Sequence, residues 1–144
     1  VLIMYSSTKQ FTDFLDQDET KYTYNGNIKD QDIVKIFFET KNISSLCVTF
    51  YFDDSGENVA VRVYDLIKFQ ENKLPSMLAA INDQNAKYRF AKFVIDTDDY
   101  TAQVEIDACF REHDIGEICS ELLARCVSIC DDSYADLMKA IWTQ

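Results

Sequence analysis

The sequence predicts an α+β domain: an antiparallel sheet of about five strands in the order α-β-β-β-α-β-β-α, with the helices mainly on one face. Residues 46–52 and 101–110 alternate apolar and polar side chains, the period of a strand with one buried face. Three strand-like runs follow one another through short polar connections, which makes them an antiparallel meander. From Ile115 onward the chain instead holds one apolar stripe at helical spacing. With 144 residues, 47% of them hydrophobic, the chain has material for a single core, so residues 6–144 read as one domain and residues 1–5 as an N-terminal tail.

Ser7 or Thr8 is placed to cap a first helix whose Phe11, Phe14 and Leu15 share a face. The pattern fades after Asp16. The polar stretch through Asp32 reads as a loop with a turn at Asn25-Gly26-Asn27, and Tyr22, Tyr24 and Ile28 are its candidates for a strand edge. Residues 33–40 are β-branched and aromatic, and residues 46–52 set Leu46, Val48, Phe50 and Phe52 on one side. Asp53-Asp54-Ser55-Gly56 turns the chain into a third strand, where Val59, Val61 and Val63 alternate with Ala60, Arg62 and Tyr64 toward Phe69.

Pro75 suits the first turn of a second helix, where its missing N–H is no loss, and Leu74, Met77, Leu78 and Ile81 line one face. This helix should stop near Asn85. Residues 91–96 and 101–110 then form a hairpin through Asp96-Thr97-Asp98-Asp99, with Phe93, Ile95, Ala102, Val104 and Ile106 inward. The opposite face of the last strand reads Thr101, Gln103, Glu105, Asp107, so this part of the sheet meets water or a polar partner. Asp114 with Glu117 has the spacing of a capping box and opens the last helix. At about 1.5 Å per residue a helix from Ile115 to Trp142 spans about 42 Å, more than the width of such a domain. Either it breaks near Asp131-Asp132-Ser133 or its end overhangs.

Twenty-five acidic residues against 14 basic ones give a net charge of -11, which argues against a phosphate-backbone partner. Three glycines, one proline and one histidine leave no glycine loop or histidine cluster for the motif-borne enzyme classes. The five cysteines are odd in number and lack the spacing of a disulfide scaffold, so they read as reduced thiols. No run approaches the roughly 18 apolar residues of a membrane span, and a cytoplasmic address is expected.

The wording of the second half resembles the YbjN-type sensory transduction regulators of bacteria, whose element order is that of the type III secretion chaperone-like fold. The resemblance is carried by Met77-Leu78-Ala79-Ala80-Ile81-Asn82-Asp83-Gln84-Asn85, by Lys92-Phe93-Val94-Ile95-Asp96 and by Val104-Glu105-Ile106-Asp107. It implies that Asn82 and Asn85 end the second helix and tie it to the hairpin. It lends no catalytic residue. The related chaperones are small, acidic, often dimeric proteins that bind extended segments of clients.

The expectation is therefore a non-catalytic interaction or regulatory module without cofactor or metal, acting as a homodimer and engaging a client or regulatory protein through the sheet face or an edge strand. The acidic balance favours a partner with a basic face and an association that weakens with salt. Gln103, Glu105 and Asp107 are the sheet-face candidates; Tyr134, Leu137, Met138, Ile141 and Trp142 are the interface candidates on the last helix. Two alternatives belong to other classes. One is a thiol- or metal-dependent sensor using Cys109, His113 and Cys119, although Cys119, Cys126 and Cys130 recur at spacings that suit buried helix positions better than a zinc knuckle. The other is a small-molecule-binding domain, which requires a pocket of convergent polar groups.

Overall fold

Every strand predicted from alternation forms, and one more joins them. The computed structural model describes residues 4–143. Its elements are α1 (Ser6–Gln17), β1 (Thr23–Ile28), β2 (Gln31–Phe38), β3 (Leu46–Asp53), β4 (Asn58–Lys68), a 3-10 turn (Glu71–Lys73), α2 (Leu74–Lys87), β5 (Lys92–Asp96), β6 (Thr101–Cys109) and α3 (Ile115–Trp142). The six strands lie in the order β1-β2-β3-β4-β6-β5, each antiparallel to its neighbours.

The added strand is β1, inside the stretch expected to be a loop. Ile28 pairs with Gln31, so Lys29 and Asp30 alone make the hairpin turn, both with positive φ (54° and 61°). Such a turn ordinarily advertises itself with glycine. Here Gly26 lies instead in an irregularity of β1 between Tyr24 and Asn27, at φ 84°, which is why Asn25-Gly26-Asn27 reads as a turn in sequence.

Asp32 holds this N-terminal corner together. It is fully buried, and its carboxylate accepts from the Tyr5 backbone N–H (2.8 Å), the Thr8 hydroxyl (2.6 Å), the Tyr24 hydroxyl (2.8 Å) and the Asn27 amide (3.1 Å). Burial pushes its pKa up, but the four donors outweigh burial and leave it below the ordinary carboxylate value. This corrects the expected helix start: Tyr5 is the N-cap of α1, and Ser7 and Thr8 are buried inside the helix because Asp32 claims the Thr8 hydroxyl. Of the residues expected to form a tail, Tyr5 is thus engaged, and residues 1–3 lie outside those described.

All three helices cover one face of the sheet. Phe11 of α1 packs on Phe50 and Phe52 of β3, with ring centroids 4.5 and 5.9 Å away; all three rings are fully buried. Burying such a side chain contributes about 1.5–3 kcal/mol. α2 lies beside β5, and α3 crosses β3, β4 and β6. α1 and α3 meet closely at Gly116, where a Cβ would stand 3.0 Å from the Gln10 carbonyl oxygen and 3.0 Å from the Phe14 Cβ.

α3 runs unbroken for 28 residues, so the break expected near Asp131-Asp132-Ser133 is absent, and its last turns still pack on the core through Leu137, Met138 and Ile141. Polar residues along α3 find partners in the β2–β3 connection and in the helix itself. The Asp131 carboxylate accepts from the Thr40 hydroxyl (2.6 Å) and the Asn42 N–H (2.9 Å), and the buried Ser133 hydroxyl donates to the Cys130 carbonyl (3.2 Å). The expected capping box is absent: Asp114 adopts a left-handed backbone (φ 63°) and its side chain makes no cap bond.

Candidate functional site

Side chains alternate along a strand, so the residues between the buried ones form the face of the sheet that no helix covers. Lys35 lies opposite Thr49, Thr49 opposite Arg62, Arg62 opposite Glu105 and Glu105 opposite Lys92, so one row crosses five strands. Glu105 is the hub of its charged part. One carboxylate oxygen lies 3.6 Å from the Arg62 guanidinium and 3.5 Å from the Lys92 ammonium, and the other accepts from the Gln103 amide at 2.7 Å. Arg62 also donates to Asp107 at 2.8 Å.

The structure therefore brings the sheet-face candidates Gln103, Glu105 and Asp107 into one network. It also changes their meaning. Counting the alternate positions, Lys35, Arg62, Lys68 and Lys92 offset Glu105, Asp107 and the turn-bound Asp53 and Asp96 at the rims, so the face is near neutral. In a chain of net charge -11, this face is the exception.

Toward β2 the same face becomes apolar. Phe37 is 60% exposed and Tyr64 47%, with Ile33, Cys47 and Tyr51 half-buried on the same side. The Tyr51 and Tyr64 hydroxyls share a hydrogen bond of 3.0 Å. Partial burial, together with that bond, raises the Tyr64 pKa above the ordinary phenol value, so this ring stays uncharged at neutral pH.

The helix candidates do not form a single exposed patch. Leu137 is fully buried, and Tyr134, Met138 and Ile141 are half-buried against the core; Trp142 is 76% exposed. The long stripe is core for nearly its whole length.

The two sheet edges are unequal. At β5 the Asn85 side chain accepts from the Phe93 N–H (2.7 Å) and donates to the Phe93 carbonyl (3.1 Å). That amide occupies both backbone groups an added strand would use at this position, and it ties α2 to the hairpin as the family resemblance implies for Asn85. α2 runs two residues past it, to Lys87.

Cys109 and His113 are exposed, whereas Cys119 is fully buried, so the three do not share a surface. Burial pushes the Cys119 thiol up to about 12. The Cys130 thiol is also raised, by its hydrogen bond with Cys126 and by burial. Among the described residues no group of three or more His, Cys, Asp or Glu is placed to hold a metal ion. A cleft of about 660 Å³ lies at the N-terminal ends of α1 and α3, where Arg111 and Glu57 face each other at 4.0 Å. No described helix is long and apolar enough to cross a membrane.

Phe37 and Tyr64 were absent from the sequence candidates. Ile36, Phe37 and Phe38 are consecutive apolar residues, a run in which alternation assigns no face. Tyr64 precedes Asp65, whose φ of 52° marks an irregularity in the pairing of β4 with β6. No protein-family model matches the chain, and no curated protein matches it in sequence.

Proposed function

We propose that the chain is a non-catalytic protein-interaction or regulatory module of chaperone-like type that binds a client protein and works as a homodimer. The observation that carries this reading is the uncovered sheet face, apolar at Phe37 and Tyr64 and near charge balance elsewhere. Two chains of net charge -11 repel each other through most of their surface. They meet with least repulsion where that face opposes itself, as a two-fold contact requires. Six strands of five to eleven residues present roughly 700 Å², close to the roughly 800 Å² per partner of a standard interface. The element order is α-β-β-β-β-α-β-β-α and departs from the expected one by the strand added before the meander.

Light scattering tests the dimer. The wild-type chain is expected at about twice 16.7 kDa, and Phe37→Asp or Tyr64→Asp at the mass of one chain. A single-chain mass for the wild type at high concentration overturns the reading.

A further inference from the structure

We propose that the groove between the C-terminal end of α3 and the segment joining β4 to α2 docks a short segment of another protein, one that carries apolar side chains between carboxylates. The groove holds about 630 Å³ and is lined by Lys68, Phe69, Gln70, Lys73, Ile141 and Trp142. Phe69 is 5% exposed and Ile141 packs against the core, so these two give the groove fixed apolar surface. Trp142 keeps 76% of its area in water, more than any other large apolar side chain described. An indole left in this state is contact surface that a bound apolar group can cover.

Charge selects the occupant. Among the described residues neither Lys68 nor Lys73 pairs with a carboxylate, in a chain where acids outnumber bases 25 to 14. Lys73 donates to the Thr143 carbonyl at 2.7 Å, which holds its ammonium beside the helix end with two donors left. A second copy suits the groove poorly, because a two-fold contact would set these lysines against their own images. A basic segment meets the same repulsion. The overall negative charge opposes an acidic segment only from afar, since charges more than about 8 Å apart are largely screened at physiological ionic strength. An extended phosphate polymer would run past the two lysines onto the acidic remainder; a short peptide does not. The groove deepens the client-binding reading by giving the client's chemistry; its apolar part, Phe69, Ile141 and Trp142, lies off the open sheet face, and Lys68, opposite Thr101, stands at the rim between them.

Trp142 is the single tryptophan, so the intrinsic indole fluorescence of the full chain reads this groove alone. The probe is a synthetic peptide with a central Leu-Phe pair flanked by glutamates, titrated beside its lysine-flanked counterpart. The acidic peptide is expected to move the emission to shorter wavelength, saturably and more weakly at high salt, while the basic one leaves it unchanged. Combining Lys68→Glu with Lys73→Glu should weaken the acidic peptide about tenfold. No saturable shift, equal shifts from both peptides, or unchanged affinity in the charge-reversed variant overturns the proposal. A shift produced by protein concentration alone also overturns it, by giving the groove to a second copy. The same titration on Phe37→Asp separates the two readings: undiminished binding supports the groove as an independent site, and lost binding overturns it.

Discussion

The two faces of the sheet handle charge and aromatic rings in opposite ways. On the covered face the rings of Phe11, Phe50 and Phe52 are fully buried, and the one buried carboxylate among the described residues, Asp32, is surrounded by four donors of which none carries a charge. On the open face Phe37 and Tyr64 lie in water, and Glu105 is met by two cations and an amide. The first face uses neutral hydrogen bonds because solvent is excluded and each dipole counts for more. The second uses ion pairs, which water screens and which therefore fix side-chain positions more than they stabilise. The covered face should dominate stability, and the open face should dominate recognition.

The widest contrast is between two phenylalanines. Phe50→Ala should cost about 3–5 kcal/mol in denaturant unfolding, whereas Phe37→Ala, at a dilution where the chain is monomeric, should cost under about 1 kcal/mol. Similar costs would mean that the open face is part of the fold's support and would break the comparison.

Next comes the buried carboxylate. Asp32 is held below its unfolded-state value of about 3.9, so its stabilisation is present above that pH and is lost as pH falls through the folded-state value. Thermal melts should therefore show a decline beginning near pH 4. Asp32→Asn should be less stable at neutral pH by about 1–3 kcal/mol and flatter below pH 4. A wild-type acid limb no steeper than the variant's would remove Asp32 from its role.

The smallest effect belongs to the charged row. Glu105→Gln should change stability by at most about 1 kcal/mol, because Lys92 is already largely in water and Arg62 keeps Asp107 as its partner. A double-mutant cycle with Arg62→Met measures their coupling. A coupling of about 3 kcal/mol would mean that this face is drier than its exposure suggests.

Much of this contrast can be read in sequence, because burial on one side of a strand imposes a period of two. The inward set of β3, β4 and β6 and the outward set Gln103, Glu105, Asp107 follow from that period alone. The partners of the outward set do not. Arg62 and Lys92 reach Glu105 only through the β4-β6-β5 register, and a list of residues cannot supply which strand adjoins which. β1 shows in sequence only as the strand-edge candidates Tyr24 and Ile28, because Lys29 and Asp30 make a glycine-free turn, and both expected helix caps fail because tertiary partners or backbone conformation compete with local spacing. The C-terminal stripe was legible as a stripe, yet its period does not separate the interior Leu137 from the water-exposed Trp142.

Asp32 bears on how the chain becomes ordered in time. All four of its donors, Tyr5, Thr8, Tyr24 and Asn27, lie within 27 residues of it, whereas the rings of α1 await β3 and the cover of α3 awaits the far end of the chain. Contacts over short separations close at little entropic cost. During synthesis the first helix and first hairpin can thus be joined as soon as β2 has emerged, long before the later strands exist to complete the sheet.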